Sequence, residues 1–175
     1  MKRLILMRHA KTEPFSEGID DFGRALLDQG LGDARRMAEQ IVSMGWSPGR
    51  ILVSTARRAR ETCSEVAQIV EDERVRPMEA LYLAGTKVLE EAVAKNADVE
   101  TLMVIGHNPG MHELALLILR AAGARDDFAS ARLVEKFPTC CAALFESEED
   151  EPFALPHFKL VDVLRAKDLR PKRAL

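Results

Sequence analysis

Three short apolar runs, each cut off by a polar or charged cluster, constrain this chain more than any other feature. Leu4-Ile5-Leu6-Met7 stops at Arg8-His9, Ile51-Leu52-Val53 stops at Ser54-Thr55-Ala56-Arg57-Arg58, and Thr101-Leu102-Met103-Val104-Ile105 stops at Gly106-His107-Asn108. Unbroken apolar runs of this length mark strands buried on both faces. Between them Ala34, Met37, Ala38, Ile41 and Val42 follow helical spacing up to Gly45, and Ala59, Cys63, Val66, Ala67 and Val70 form a second helical stripe. Ser54 is expected to cap that second helix and Thr86 a third, running to about Asn96. Asn108 and Pro109 suit the cap and first position of a fourth, apolar helix from Met111 to Ala122. Residues 75–78 read as a short extended piece, and residues 139–145 and 157–163 as two late strands. Strands alternating with helices predict an α/β fold: a three-layer α/β/α arrangement around a mostly parallel sheet, with residues 1–175 as one domain.

Composition narrows the function. Apolar residues make up 47% of the 175 residues and charged residues 30%, so the chain reads as globular. A net charge of -3 offers no global field for nucleic acid, so an anion site must be a local cluster of positive groups. No run approaches the apolar length of a membrane span, and Leu4 to Met7 is too short for a signal-peptide core. Cys63, Cys140 and Cys141 read as buried reduced thiols in a cytoplasmic protein, and no Cys/His spacing suggests a metal site or a cofactor. The acidic stretch Glu146 to Glu151 reads as a hairpin connection, and the basic tail Arg165 to Arg173 as solvated charge.

Ligands of such sheets bind outside the carboxyl ends of the strands. That edge should gather Arg8, His9, Arg57, Arg58 and His107, with two helix N-termini nearby. Arginines in the first turn of a helix oppose its macrodipole and so ask for a reason. The ligand this describes is a small doubly charged anion, most simply a phosphoryl group.

The motifs that carry these residues resemble those of a known family. Arg8-His9-Ala10-Lys11 resembles the Arg-His-Gly signature of the histidine phosphatases, with Ala10 in place of the usual glycine. Ser54 to Thr62 is similar to the block with the phosphate-binding arginine, and Gly106-His107-Asn108-Pro109-Gly110 to the block with the second essential histidine. Within that superfamily the Arg-His-Ala-Lys form, Gly-His-Asn-Pro and Asp21-Phe22-Gly23-Arg24-Ala25-Leu26 are similar to the SixA-type phosphohistidine phosphatases. The resemblance implies a phosphoglycerate mutase-like fold and a two-step transfer without metal or cofactor. His9 would take the phosphoryl group, Arg8 and Arg58 would clamp it, and His107, if protonated, would add charge. Asn108 is a substrate contact or a helix cap, Glu79 the candidate general acid, Arg57 a solvated charge, and His112 and His157 structural. The implied substrate is a phosphohistidine-bearing protein, with inorganic phosphate as product. A phosphatase of small phosphate monoesters and a non-catalytic phosphohistidine binder are the alternatives. The mutases of the superfamily carry a longer insertion over the site, and no glycine-rich phosphate loop points to a nucleotide fold.

Overall fold

The computed structural model describes residues 1–14, 17–18, 20–70, 74–124, 126–148 and 153–171. Six strands join one sheet: β1 (Arg3–Arg8), β2 (Arg50–Ser54), β3 (Val75–Met78), β4 (Thr101–Gly106), β5 (Cys141–Glu146) and β6 (Lys159–Arg165). Their order is β3-β2-β4-β1-β5-β6. The pairings β1 with β4, β4 with β2 and β2 with β3 are parallel, and β5 runs antiparallel to both β1 and β6. The expected mostly parallel sheet is therefore present, with β5 the reversed strand.

Side-chain alternation divides the core into two layers. Leu4, Leu6, Leu52, Leu102, Val104, Ala143 and Phe145 face one side, where α3 (Thr86–Lys95), α4 (Gly110–Ala121) and α5 (Phe128–Glu135) pack. Ile5, Met7, Ile51, Val53, Met103, Ile105 and Leu144 face the other, against α1 (Asp28–Ser43), α2 (Arg57–Ala67) and α6 (Ala166–Leu169). Both faces of β1, β2 and β4 are thus covered, which is why their sequences are apolar without alternation. Full burial of each such side chain contributes roughly 1.5–3 kcal/mol.

Several local expectations are corrected. Ser54 does not cap α2: Ala56 holds the cap position without a side-chain bond, and the Ser54 hydroxyl serves a histidine instead. Asn108 does not cap α4, which begins at Gly110 after Pro109, because its amide turns to the carbonyl of Phe137. Thr86 is the first residue of α3, with Gly85 before it. Helix α5 has no counterpart in the sequence reading, although Asp127 accepts the Ser130 N–H as an N-cap should. The basic tail is not simply solvated. Arg165 is buried and pairs with Glu135, and Arg170 pairs with the buried Asp33, which fastens α6 to α1. Residues 149–151 of the acidic stretch and 172–173 of the tail lie outside the described residues.

Gly110 matters to how the site is held. A β-carbon there would lie 1.9 Å from the Ala84 carbonyl oxygen, so α4 meets the segment before α3 backbone to side. Gly110→Ala is expected to lower unfolding stability by about 3 kcal/mol, the upper end of overpacking costs, because backbone must move. Urea unfolding measures it, and a loss below about 0.5 kcal/mol, the size of an ordinary surface substitution, contradicts the close contact.

Candidate active site

The ends of β1 and β4 are locked in register at the site. Arg8 pairs with Gly106, the His9 N–H donates to the Gly106 carbonyl at 3.0 Å, and the Cys140 N–H donates to the His9 carbonyl at 3.0 Å. The next amide, Ala10 N–H, donates to Thr62 Oγ1 at 2.9 Å, and that hydroxyl donates to the Arg58 carbonyl at 2.7 Å. The backbone carrying His9 is therefore tied to β4, to the start of β5 and to α2. Ala10 is fully buried in the α1–α2 layer. Leu83 and Cys140 are the non-glycine residues with positive φ among the described residues, so the alanine in place of the usual glycine meets no backbone penalty.

His9 Nδ1 lies 2.8 Å from its neighbour's carbonyl, Ala10 O. A carbonyl only accepts, so Nδ1 carries the proton and Nε2 keeps its lone pair. The His9 and His107 ring centroids are 5.2 Å apart, close enough for one phosphoryl group to touch both. His107 Nε2 is 2.7 Å from Ser54 Oγ, which also accepts the Ala56 N–H at 3.3 Å.

Two guanidinium groups complete the floor. Arg8 donates to the Phe137 carbonyl at 3.1 Å, and Asn108 Nδ2 donates to the same oxygen at 2.9 Å. Arg58 is only 3% exposed and directs both terminal nitrogens at Asp21, one to its carbonyl and one to Oδ2 at 2.8 Å. Arg8 Nε, His107 Nδ1 and Asn108 Oδ1 are buried polar atoms with no protein partner. Two of those three belong to groups that can donate to an anion, and buried polar atoms seldom stay unpaired.

Burial sets the protonation states. Desolvation, reinforced by His107, Arg58 and Arg8, lowers His9 to about 3 despite the favourable bond to Ala10. Desolvation and Arg58 lower His107 to about 4. His107 is thus neutral in the empty site at neutral pH, and its conditional role as a cation needs the charge of a bound anion. Desolvation also lowers Arg8. Asp21 goes the other way: burial raises it, but hydrogen bonds from Tyr82, Arg24 and Arg58 prevail and bring it to about 2.

The structure brings together Arg8, His9, Arg58, His107 and Asn108, as the three motifs suggested. Among the described residues no hydrogen bond or ion pair ties the Glu79 side chain to them. Glu79 is exposed in a one-turn 3-10 helix (Glu79–Leu81) after β3, the edge strand of the sheet. Arg57 is paired with Glu61 at 2.7 Å on the outside of α2, consistent with a solvated charge. His112 donates to the Leu133 carbonyl at 2.7 Å and stacks on Phe137, a structural role. Two residues not assigned to the site from the sequence belong to it. Asp21 lies in the loop before α1, and Tyr82 reaches it with a 2.9 Å hydrogen bond while packing edge-on against His107. Asp21 opens the stretch that resembles the SixA-type loop before the first helix, and Tyr82 lies in the stretch between β3 and α3.

Known proteins share this fold. The family model of the histidine phosphatase superfamily (branch 1) matches residues 4–100. An uncharacterized chloroplastic protein of Arabidopsis thaliana is 31% identical over 168 residues, covering 88% of this chain and 72% of its own. An uncharacterized protein of Mycobacterium tuberculosis is 36% identical over 135 residues, covering 76% of this chain and 82% of its own. A solved structure from Agrobacterium tumefaciens, assigned as a phosphohistidine phosphatase SixA, is 26% identical with a TM-score of 0.79, covering 94% of this chain and 97% of that one. The fold and the matches define a phosphatase. The chain belongs to the histidine phosphatase superfamily, in its branch 1, and is SixA-like in structure.

Both active-site histidines sit below the 6.5 of an exposed imidazole, so the unfolded chain takes up protons first on acidification. The stability they contribute is complete above pH 6.5 and is lost as pH falls towards 4, at about 1.4 kcal/mol per pH unit for each histidine. His9→Gln is expected to make the fall between about pH 6 and pH 4.5 shallower by close to one proton. Urea unfolding at a series of pH values checks this, and an unchanged slope contradicts a buried neutral His9.

Proposed function

We propose that residues 1–175 act as one histidine phosphatase domain that hydrolyses phosphohistidine on a protein, in the cytoplasm and without a metal. The observation that carries the chemistry is the His9 Nδ1–H bond to the Ala10 carbonyl, which leaves Nε2 as a neutral nucleophile beside the buried Arg58, the half-buried Arg8 and His107. In the first step His9 Nε2 bonds to phosphorus as the bond to the leaving group breaks, and the electron pair stays with that group. Arg8 and Arg58 hold the equatorial oxygens, and the dianion restores the proton affinity of His107. In the second step a water oxygen bonds to phosphorus and the Nε2–P bond breaks with its pair returning to Nε2. The water's protons leave on inorganic phosphate. The arginines supply the positive charge that a metal supplies elsewhere.

The choice of phosphohistidine rests on the carboxylates. An alkoxide leaving group needs a proton donor, and a good donor has a raised pKa near the working pH. Asp21 is held at about 2 and is ionised, and Glu79 is exposed at the sheet edge. An imidazole, with a pKa near ~7, leaves with far less assistance. The likeness to the Agrobacterium structure, whose assignment is a phosphohistidine phosphatase, points the same way. The three free cysteines, all buried, suit a reducing compartment, and no helix among the described residues is long and apolar enough to cross a membrane.

Phosphate release from a phosphohistidine protein and from an aryl phosphate, with chelator present, tests the reading. Wild type is expected to turn over phosphohistidine faster, and His9→Ala to lose at least about a thousandfold on both. Activity on the ester alone moves the substrate to small monoesters, and retention of activity by His9→Ala removes the nucleophile. Glu79→Gln is expected to stay within about threefold of wild type on phosphohistidine, against the 10²-fold or more roughly expected for a lost general acid.

A further inference from the structure

The reacting phosphorus must lie between His9 Nε2 and a leaving group placed in line on the opposite side. Exposure separates the two ends. His9 is 7% exposed, His107 3% and Arg58 3%, so they form the floor. Phe22 is 39% exposed and the Asp21 side chain 41%, so they stand at the mouth. Tyr82 joins the two levels: its ring meets Phe22 edge-on at 5.0 Å and His107 edge-on at 5.5 Å, and its hydroxyl donates to Asp21 Oδ2 at 2.9 Å. The mouth beside Arg58 is therefore two aromatic rings and one carboxylate.

We infer that Phe22, Tyr82 and Asp21 form the leaving-group subsite, and that it takes a protonated imidazole ring whose free N–H donates to Asp21. The inference rests on the phosphohistidine reading above and deepens it. An ionised carboxylate offers about four lone-pair sites. Arg58 and Tyr82 occupy the two on Oδ2, and Arg24 donates to Oδ1 at 3.1 Å, which leaves room on Oδ1 for one further donor. The carboxylate is also kept ionised by the same three partners, so it accepts a proton-bearing ring and gives nothing to an alkoxide. The flanking rings offer edge and face to a flat aromatic guest, an arrangement worth about 0.5–1.5 kcal/mol beyond burial.

The proton balance explains how turnover proceeds without an acid. The substrate ring arrives phosphorylated on one nitrogen and protonated on the other. As His9 Nε2 bonds to phosphorus, the P–N bond breaks, its pair stays on the departing nitrogen, and the ring leaves as neutral imidazole with its own proton. His9 ends phosphorylated on Nε2 and protonated on Nδ1. Donor and acceptor are then the same chemical species, one N–H held by Asp21 and the other by the Ala10 carbonyl. The exchange is close to thermoneutral, and neither side requires an external proton.

Asp21→Asn tests this, since it keeps the size and the backbone carbonyl that also holds Arg58. The two probes are a phosphohistidine peptide and 4-nitrophenyl phosphate, whose leaving group carries no N–H. A weakened hold on Arg58 lowers kcat/KM on both. Loss of the charged acceptor lowers it further on the peptide alone, so the peptide loss is expected to exceed the ester loss by tenfold or more, the scale of a hydrogen bond to a charged group, roughly 1.5–3 kcal/mol. The alkaline limb of kcat on the peptide is expected to move to lower pH, because Asp21 favours the protonated ring. Equal losses on the two probes with an unmoved limb mean that Asp21 acts through Arg58 only, and overturn the inference. A wild-type enzyme that is His9-dependent on the ester and inert on the peptide sinks the substrate reading instead, and the subsite with it.

Discussion

The bond from His9 Nδ1–H to the carbonyl of Ala10 is the constraint on which the site turns. It fixes the tautomer, and it does so with a backbone acceptor whose own residue is tied to α2 through the Thr62 hydroxyl. His9 continues the β1–β4 ladder one residue past Arg8, and Cys140 closes the opposite side of the same residue. A nucleophile on such a strand end is held by structure that cannot shift without breaking parallel pairing in a fully buried core. The arrangement is precise because it costs no extra flexible group: the acceptor is the next residue in the chain.

The electrostatics of the empty site follow from that placement. Two arginines and two histidines converge, and one carboxylate, Asp21, balances them. Burial and mutual repulsion keep both rings neutral, so the nucleophile is ready without a separate base. The orphaned atoms on Arg8 and His107 are the same imbalance expressed as geometry. An entering dianion answers both: it supplies acceptors to unpaired donors and charge to a site with an excess of positive groups. The Asp21 carboxylate and backbone carbonyl together hold the 3%-exposed Arg58 in place until an anion arrives.

Much of this was legible in the sequence because it lay at strand ends. The runs before His9, Ser54 and His107 specify buried parallel strands, and the rule for α/β sheets then brings their last residues to one edge. What was not legible depended on tertiary competition for a polar side chain. Ser54 and Asn108 both carry strong capping propensity, and both are drawn away from their helices, one to His107 Nε2 and the other to the Phe137 carbonyl. Asp21 and Tyr82 are 61 residues apart, and nothing local in either stretch shows that they meet. Glu79 was favoured because its stretch is the equivalent of the family's acid-bearing region, and it stands exposed just after β3, the edge strand. Three residues further on, Tyr82 reaches the site through Asp21 and the ring of His107.

That turn is itself strained, which shows how firmly Tyr82 is placed. Leu83 adopts φ +48 with its side chain 52% exposed, a conformation that costs a branched residue about 1–2 kcal/mol. Such a residue persists only where its neighbours are fixed on both sides. On one side Tyr82 is held by Asp21, Phe22 and the ring of His107. On the other, Ala84 abuts Gly110 at the start of α4, only three residues beyond His107. The chain between these anchors has no slack to relax into. Packing at the head of α4 thus sets both the histidine on the floor of the site and the tyrosine at its mouth, and the distance between floor and mouth is fixed by one helix start rather than by a free loop.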